Sequence, residues 1–301
     1  MKLSAVINTK NAAETLEATL KSVKFADEIV VVDMQSSDQT KKIAQKFTDK
    51  IFDCEDVGYV EPARNFALEQ ANGEWLLLID ADETVPKSLK EHILKLINQG
   101  EDNEIDCYRI PRKNMVFAKW INGMGWWPDY QVRLFKKGVV SWPCEIHAQP
   151  QIFGNVAELP AEEKYALWHQ NYTSVAQFVE RLNRYTDHQA QQQAETKKFS
   201  AERLISAFFN EFFRRFFLEQ GYDLGAHGIS ISLLQSMYEL VVRLKIWDDD
   251  GFEDLNTDSE TMIKALDQVN THLKYWIADW RVNNSKGVKK WWWKVRRKMG
   301  V

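Results

Sequence analysis

Three acids close a continuous apolar run in Trp75-Leu76-Leu77-Leu78-Ile79-Asp80-Ala81-Asp82-Glu83. A run that breaks abruptly into carboxylates reads as a buried strand delivering them to the edge of a sheet. Such carboxylates suit a divalent cation carrying phosphates, because Mg²⁺ is commonly held by one or two carboxylates together with substrate oxygens. A strand followed by a plain acidic turn is the alternative, since Asp-x-Asp is common by chance. Two more β-branched runs, Leu3-Ser4-Ala5-Val6-Ile7-Asn8-Thr9 and Glu28-Ile29-Val30-Val31-Val32-Asp33, also end in polar residues. In parallel strands these endings would share one edge, bringing Thr9 and Asn11, Asp33 with Ser36 and Asp38, and Asp80 with Asp82 to the place where open α/β sheets bind ligands.

The elements that must position them are legible in the periodicity. Leu16, Leu20 and Val23, then Ile43 and Phe47, then Ala67, Leu68 and Ala71 recur at helical spacing between the strands. This β-α-β-α-β alternation predicts an α/β fold with a mostly parallel sheet. Pro86 opens a further helix with Leu89, Ile93, Leu96 and Ile97 on one face, and strands resume at residues 107–110, 132–135 and 139–142. The aromatic, glycine-rich connection at 115–130 is a candidate for contact with a second substrate, since long loops in compact domains are often binding walls. Ser36 and Asp38 also suit helix capping.

Beyond Thr173 the pattern turns helical: Val175, Phe178, Val179, Leu182 and Tyr185 behind a Thr173 or Ser174 cap, a phenylalanine-rich helix at 200–217, a turn at 221–228 and an apolar helix at 229–247. The polar run 188–198 reads as a helix end or a linker. The pair of helices at 200–217 and 229–247 allows two readings, packing on each other and on the first domain, or interfacial helices with phenylalanines inward and arginines outward. The expected division is residues 1–167 and 168–301.

Val6-Ile7-Asn8-Thr9-Lys10-Asn11, Val31-Val32-Asp33-Met34-Gln35-Ser36-Ser37-Asp38-Gln39-Thr40, Ala63-Arg64-Asn65 and Leu78-Ile79-Asp80-Ala81-Asp82-Glu83 resemble, in order and spacing, the successive motifs of family 2 glycosyltransferases of the GT-A fold. The likeness is closest to the bacterial lipopolysaccharide-core and cell-envelope glucosyltransferase branch. It continues through Gly125-Trp126-Trp127-Pro128-Asp129-Tyr130-Gln131-Val132-Arg133-Leu134-Phe135 and His169-Gln170-Asn171-Tyr172. The resemblance implies a GT-A nucleotide-diphospho-sugar transferase fold with a C-terminal helical extension. It implies inverting transfer of a hexose, glucose from UDP-glucose foremost, to a lipid-linked envelope glycan such as lipopolysaccharide core, with Mg²⁺ or Mn²⁺. Transfer to a peptide or protein side chain and a non-catalytic sugar-nucleotide scaffold are the alternatives.

By the same resemblance Asp82 sits on the cation, Asp80 nearer the ribose or the cation's water shell, and Asp33 faces the base, with Thr9 and Asn11 in the nucleotide pocket. Arg64 is expected before a helix, pairing with the diphosphate or in a surface ion pair; Arg133 binds an anion or braces the sheet; His169 lies near the metal or is structural. Glu83 is expected as a supporting or helix-capping acid. Asp129 is the first candidate for the general base, because Pro128 fixes its backbone and the neighbouring rings would raise its proton affinity; the alternative is a loop aspartate capping a turn. Glu145 and His147 follow. Relatives often carry His-Glu where this chain has His147-Ala148, so any role of that glutamate is absent or moves to Glu145.

Composition narrows the rest. At 301 residues, 45% hydrophobic and 27% charged, the chain is an ordinary globular sequence, and its net charge of -4 gives no case for nucleic acid. Residues 286–301 hold seven cations and no acid, and Trp291, Trp292 and Trp293 lie among them, a combination that suits an anionic membrane surface. Cys54, Cys107 and Cys144 are odd in number and far apart, fitting reduced thiols. With no signal-peptide pattern and no apolar run near the ~20 residues that span a bilayer, the expectation is a cytoplasmic protein, peripheral at the inner face of the membrane.

Overall fold

The computed structural model describes residues 2–55, 60–100, 104–143, 149–194, 199–254 and 258–299. The chain divides into two compact units, one of Met1–Asn122 with Trp126–Thr173, the other of Gly123–Gly125 with Ser174–Val301.

In the first unit the anticipated strands are β1 (Leu3–Thr9), β2 (Glu28–Asp33) and β4 (Trp75–Asp80), with the short β3 (Ile51–Asp53) beside β2. Helices α1 (Leu16–Ser22), α2 (Thr40–Ala44) and α3 (Glu61–Gln70) connect them. Then follow β5 (Glu83–Thr84), α4 (Lys87–Ile97), β6 (Cys107–Val116), β7 (Lys119–Trp120), β8 (Asp129–Lys136), β9 (Val140–Ser141), β10 (Gln151–Ile152), β11 (Val156–Glu158) and β12 (Leu167–Tyr172). The main sheet runs β3-β2-β1-β4-β8-β6-β12-β5, with β7 and β11 paired to β6; β9 and β10 form a separate ladder. β1 is parallel to β2 and β4, whereas β8 is antiparallel to β4 and β6.

Helices cover both faces, which is why the strands are apolar in unbroken runs rather than alternating. Leu3, Ala5, Ile7, Leu77 and Ile79 pack with Leu16 and Leu20 of α1 and Leu89 and Ile93 of α4. Val6, Val30, Val32, Leu76 and Leu78 pack on the opposite face with Ala67 and Leu68 of α3. Two strands exceed their sequence expectation: β6 extends past Ile110 through Arg112, Lys113 and Asn114, and β8 starts at Asp129, which is therefore a strand residue and not a turn cap. Arg112 and Asn114 of this polar stretch face a charged interior described below, whereas Lys113, on the other face, pairs with Glu163.

The second unit contains α5 (Val175–Ala194), α6 (Ala201–Phe213), α7 (Ala226–Asp249), α8 (Ser259–Asn283) and α9 (Gly287–Met299). Ser174 accepts from Gln177 N at 3.1 Å and Ser200 from Arg203 N at 3.2 Å, so hydroxyl caps start α5 and α6. The phenylalanines of α6 and of the π-turn Arg214–Leu218 are packed: Phe213 is buried, and Phe217 stacks on Trp276 at 5.9 Å. Arg214 and Arg215 are tied to Glu211 and Glu219. These contacts are those of the packing reading, although the other phenylalanines of the segment are only half-buried and Leu218 is exposed. The expected C-terminal helical extension is present, although α8 and α9 were not placed individually. Among the described residues no helix is long and apolar enough to cross a membrane.

Candidate active site

Register brings the strand endings together. Thr9 stands opposite Asp33, and Asn8 lies between Val32 and Asp80. Asp33 is buried; its Oδ2 accepts from Ser36 N at 2.9 Å, while Oδ1 has no partner among the described residues. Asn8 Oδ1 and Thr9 Oγ1 are likewise buried and unpartnered, although Asn8 Nδ2 donates to Ala63 O at 2.9 Å. Buried polar atoms without partners are rare in proteins and call for an explanation. Three at the carboxyl ends of adjacent parallel strands match a polar ligand such as a nucleoside.

Asn11, at φ 47°, ties two loops together: its N–H donates to Ser36 Oγ at 2.8 Å and its Oδ1 accepts from Ser37 N at 2.8 Å. Asp38 accepts from Thr40 N, the first amide of α2, at 2.9 Å and from Ala13 N at 3.1 Å.

Asp80, the last residue of β4, is gripped by two arginines. Arg64 Nη2 donates to its Oδ1 at 3.0 Å, and Arg133 Nη2 to its Oδ2. Burial opposes its charge, but Arg133, Arg64 and Arg112 outweigh that and hold the carboxyl well below the usual range. Arg64 does not precede α3 but sits inside its first turns, and its guanidinium lies 5.4 Å from the Trp142 ring. The ion pair it makes is mostly buried, unlike the surface pair the sequence allowed. Arg133 is 1% exposed and also donates to Glu83 at 2.8 Å, so it has the geometry of the sheet brace.

Glu83 is fully buried and caps no helix. Its Oε1 accepts from Arg133 and from Arg112 Nη1 at 3.2 Å, and its Oε2 from Asp80 N at 3.0 Å. Arg112 also binds Asp129 Oδ2, with Nη2 at 2.7 Å and Nε at 2.8 Å, because Arg112 and Asp129 are opposed across β6 and β8. Asn114, on the same face of β6, donates from Nδ2 to Asp129 Oδ2 at 2.8 Å, and its Oδ1 accepts from His169 Nδ1 at 2.6 Å. His169 Nε2 in turn lies 3.5 Å from Asp82 Oδ1. Asp80, Arg133, Glu83, Arg112, Asp129, Asn114, His169 and Asp82 thus form an almost closed ring of polar contacts.

The ring orders donors and acceptors. Both of the Asn114 Nδ2 partners, Asp129 Oδ2 and Trp126 O, are acceptors, which fixes the amide orientation and makes its Oδ1 the acceptor of a His169 Nδ1–H. In neutral His169 the lone pair then sits on Nε2, toward Asp82. Burial raises the proton affinity of Asp129, but the Arg112 charge and hydrogen bonds from Asn114, Arg112 and Gln131 prevail and hold its carboxyl below the usual range. This corrects the expectation of raised affinity, which counted the neighbouring rings and not the arginine.

Glu145 and His147 lie outside the described residues, as does Cys144. Cys54 and Cys107 are free thiols, Cys107 pushed up to about 11 by burial. Glu83, Arg112, Asn114 and Asn8 are the site residues that sequence reasoning missed or undervalued. Only the alternation of Arg112 and Asn114 signalled a polar strand face.

Residues 4–150 match the model of glycosyl transferase family 2. An uncharacterized glycosyltransferase of Rickettsia bellii (strain RML369-C) is 30% identical over 244 residues, covering 77% of this chain and 82% of that protein. The chain belongs to glycosyl transferase family 2, and its mixed sheet with flanking helices is the GT-A fold that the sequence motifs implied. It is also similar to the lipopolysaccharide core biosynthesis glycosyltransferase LpsC of Rhizobium meliloti (strain 1021), 26% identical over 262 residues, 82% of this chain and 92% of the other. The crystal structure of Staphylococcus aureus TarS 1-349 in complex with UDP aligns with a TM-score of 0.43 at 16% identity, covering 86% of this chain and 94% of that one.

Proposed function

We propose that this chain transfers a hexose, glucose foremost, from a UDP-sugar to a lipid-linked cell-envelope glycan such as lipopolysaccharide core, with inversion, at the inner face of the cell membrane. The observation that carries the reading is the set of unpartnered acceptors at Asn8, Thr9 and Asp33 beside the Asp80–Asp82 strand end. Asp33 Oδ1 is available to accept a ring N–H of the nucleobase, and Arg64, whose Nε is also unpartnered, is available to diphosphate oxygens. The envelope acceptor is favoured by the likeness to LpsC.

A divalent cation, Mg²⁺ or Mn²⁺, would be held by Asp82 and His169 together with donor oxygens, and when bound would neutralise the departing diphosphate as a Lewis acid. Among the described residues no three acidic, histidine or cysteine groups form a metal cluster. The hydrogen bond from His169 Nδ1 to Asn114 orients the ring as such ligands require.

Asp129 is the proposed base. Arg112 and Asn114 keep it ionised and a quarter of its side-chain surface stays open; as an acceptor hydroxyl oxygen bonds to the sugar carbon and the bond from that carbon to the diphosphate oxygen breaks, the hydroxyl proton would pass to the carboxylate. Glu145 is the second candidate.

The test is UDP release and glucosyl transfer from UDP-glucose with Mn²⁺. Asp82→Ala should abolish both, along with Mn²⁺-supported UDP binding by calorimetry, while far-UV circular dichroism stays unchanged. Retained turnover would exclude the assigned role of Asp82, and absence of nucleotide release by the native chain with any common sugar donor would favour the scaffold.

A further inference from the structure

Helix α9 presents apolar residues on two sides. One side is packed: Trp293 is buried with Ala278 and Val282 of α8, Arg281 lies 4.1 Å from its ring centroid, and Arg297 pairs with Asp279. The other side is open. Val288, Trp291, Trp292 and Val295 recur at i, i+3, i+4 and i+7 and so line one stripe, turned away from Trp293. All four are exposed, Val288 by 83% and Trp291 by 66%. On the helical wheel Lys289 and Arg296 border this stripe on one edge and Lys294 and Lys298 on the other, and α9 contains no acid.

Charge decides what can cover it. A second copy of α9 would set cations against cations. A nucleic acid would satisfy the cations but leave the valines and tryptophans against phosphates. An anionic bilayer satisfies both, because tryptophan settles at headgroup level, valine reaches the acyl boundary, and lysine stems extend their ammonium groups to lipid phosphates.

We propose that α9 lies flat in the headgroup region of an anionic bilayer, with Val288, Trp291, Trp292 and Val295 inward and Lys289, Lys294, Lys298 and Arg296 on lipid phosphates. This rests on the membrane-surface part of the function proposed above and names the side of the second unit that meets lipid.

Co-sedimentation of the full chain with vesicles tests it, comparing phosphatidylcholine alone with a 3:1 mixture of phosphatidylcholine and phosphatidylglycerol. The native chain should partition strongly to the anionic vesicles and weakly to the neutral ones. Val288→Glu combined with Trp291→Glu removes two side chains that no packed ring depends on, and should reduce partitioning by tenfold or more. Lys294→Glu should reduce it at least about fivefold, the fold-change equivalent to the ~1 kcal/mol that a single cation contributes near an anionic surface. Equal binding to both vesicle types would overturn the proposal, as would unchanged binding by the double variant or its conversion of a dimer into a monomer in sedimentation. Unaltered circular dichroism and UDP binding in each variant guard against misfolding. The vesicle measurement needs neither donor nor acceptor, so its failure leaves the transfer chemistry standing, and failure of nucleotide binding leaves the lipid contact standing.

Discussion

Replacing Glu83 with glutamine isolates the charge at the centre of the ring while keeping its volume. Three carboxylates, Asp80, Glu83 and Asp129, face three guanidinium groups, Arg64, Arg133 and Arg112, so the set is neutral as it stands. Glu83→Gln leaves a net positive charge beside Arg133, which water scarcely reaches. Glu83 now accepts from Arg133, from Arg112 and from Asp80 N on its two oxygens. A glutamine has one oxygen, so its amide nitrogen must face at least one of these donors. Removing one partner of a buried ion pair destabilises by about 3–5 kcal/mol, because the remaining charge is uncompensated. For a unit of this size each kcal/mol moves Tm by about 2–4 °C, so the expected fall is about 10 °C. Differential scanning calorimetry is the assay. Glu91→Gln is the internal control, since its Lys87 partner is 3.9 Å away and both are exposed, and it should leave Tm almost unchanged. A drop below about 2 °C for Glu83→Gln would refute the argument from buried charge balance.

Asn114→Ala should weaken Mn²⁺-supported UDP binding about tenfold or more, the usual effect of losing the group that orients a metal-binding histidine; an unchanged metal titration would separate Asn114 from the site. Glu28 offers a pH test away from the site. Burial disfavours its charge, but Asn72 N–H at 2.7 Å, Lys50 and Ser4 prevail and hold the carboxyl down to about 2. Its folded value is depressed, so the stabilisation is present above the ordinary glutamate range and is lost as pH falls from about 4.3 toward 2, an effect of about 3 kcal/mol. Urea denaturation across that range should show a shallower decline for Glu28→Gln than for the native chain, and parallel declines would contradict it.

The strand ends were legible because burial on both faces writes β1, β2 and β4 as apolar runs, and the change from Ile7 to Asn8, Val32 to Asp33 and Ile79 to Asp80 marks where they emerge. The ring was not legible, because its contacts depend on registers between distant segments: Arg112 meets Asp129, and Asn114 meets His169. Without those partners the polar half of β6 reads as a loop, and Asp129 reads as a carboxyl surrounded by rings. Helix α8 did carry a signal: Asp258 caps it by accepting from Thr261 N, and Met262, Leu266, Leu273, Ile277 and Trp280 share one stripe. Its apolar residues are exposed and interspersed with charge, so they stand out less than the buried stripes of α4.

Gly123–Gly125 belongs to the helical unit although Asn122 and Trp126 on either side belong to the other, so the polypeptide crosses twice before its final passage at Thr173. Met124 is buried, its carbonyl taking Arg215 Nη1 at 2.5 Å and its N–H reaching Glu219 O at 3.3 Å. Excising the helices at one cut would therefore remove the partners of Met124, five residues before Asp129 begins its strand. A shortened chain would lose the partners of a buried segment as well as its helices.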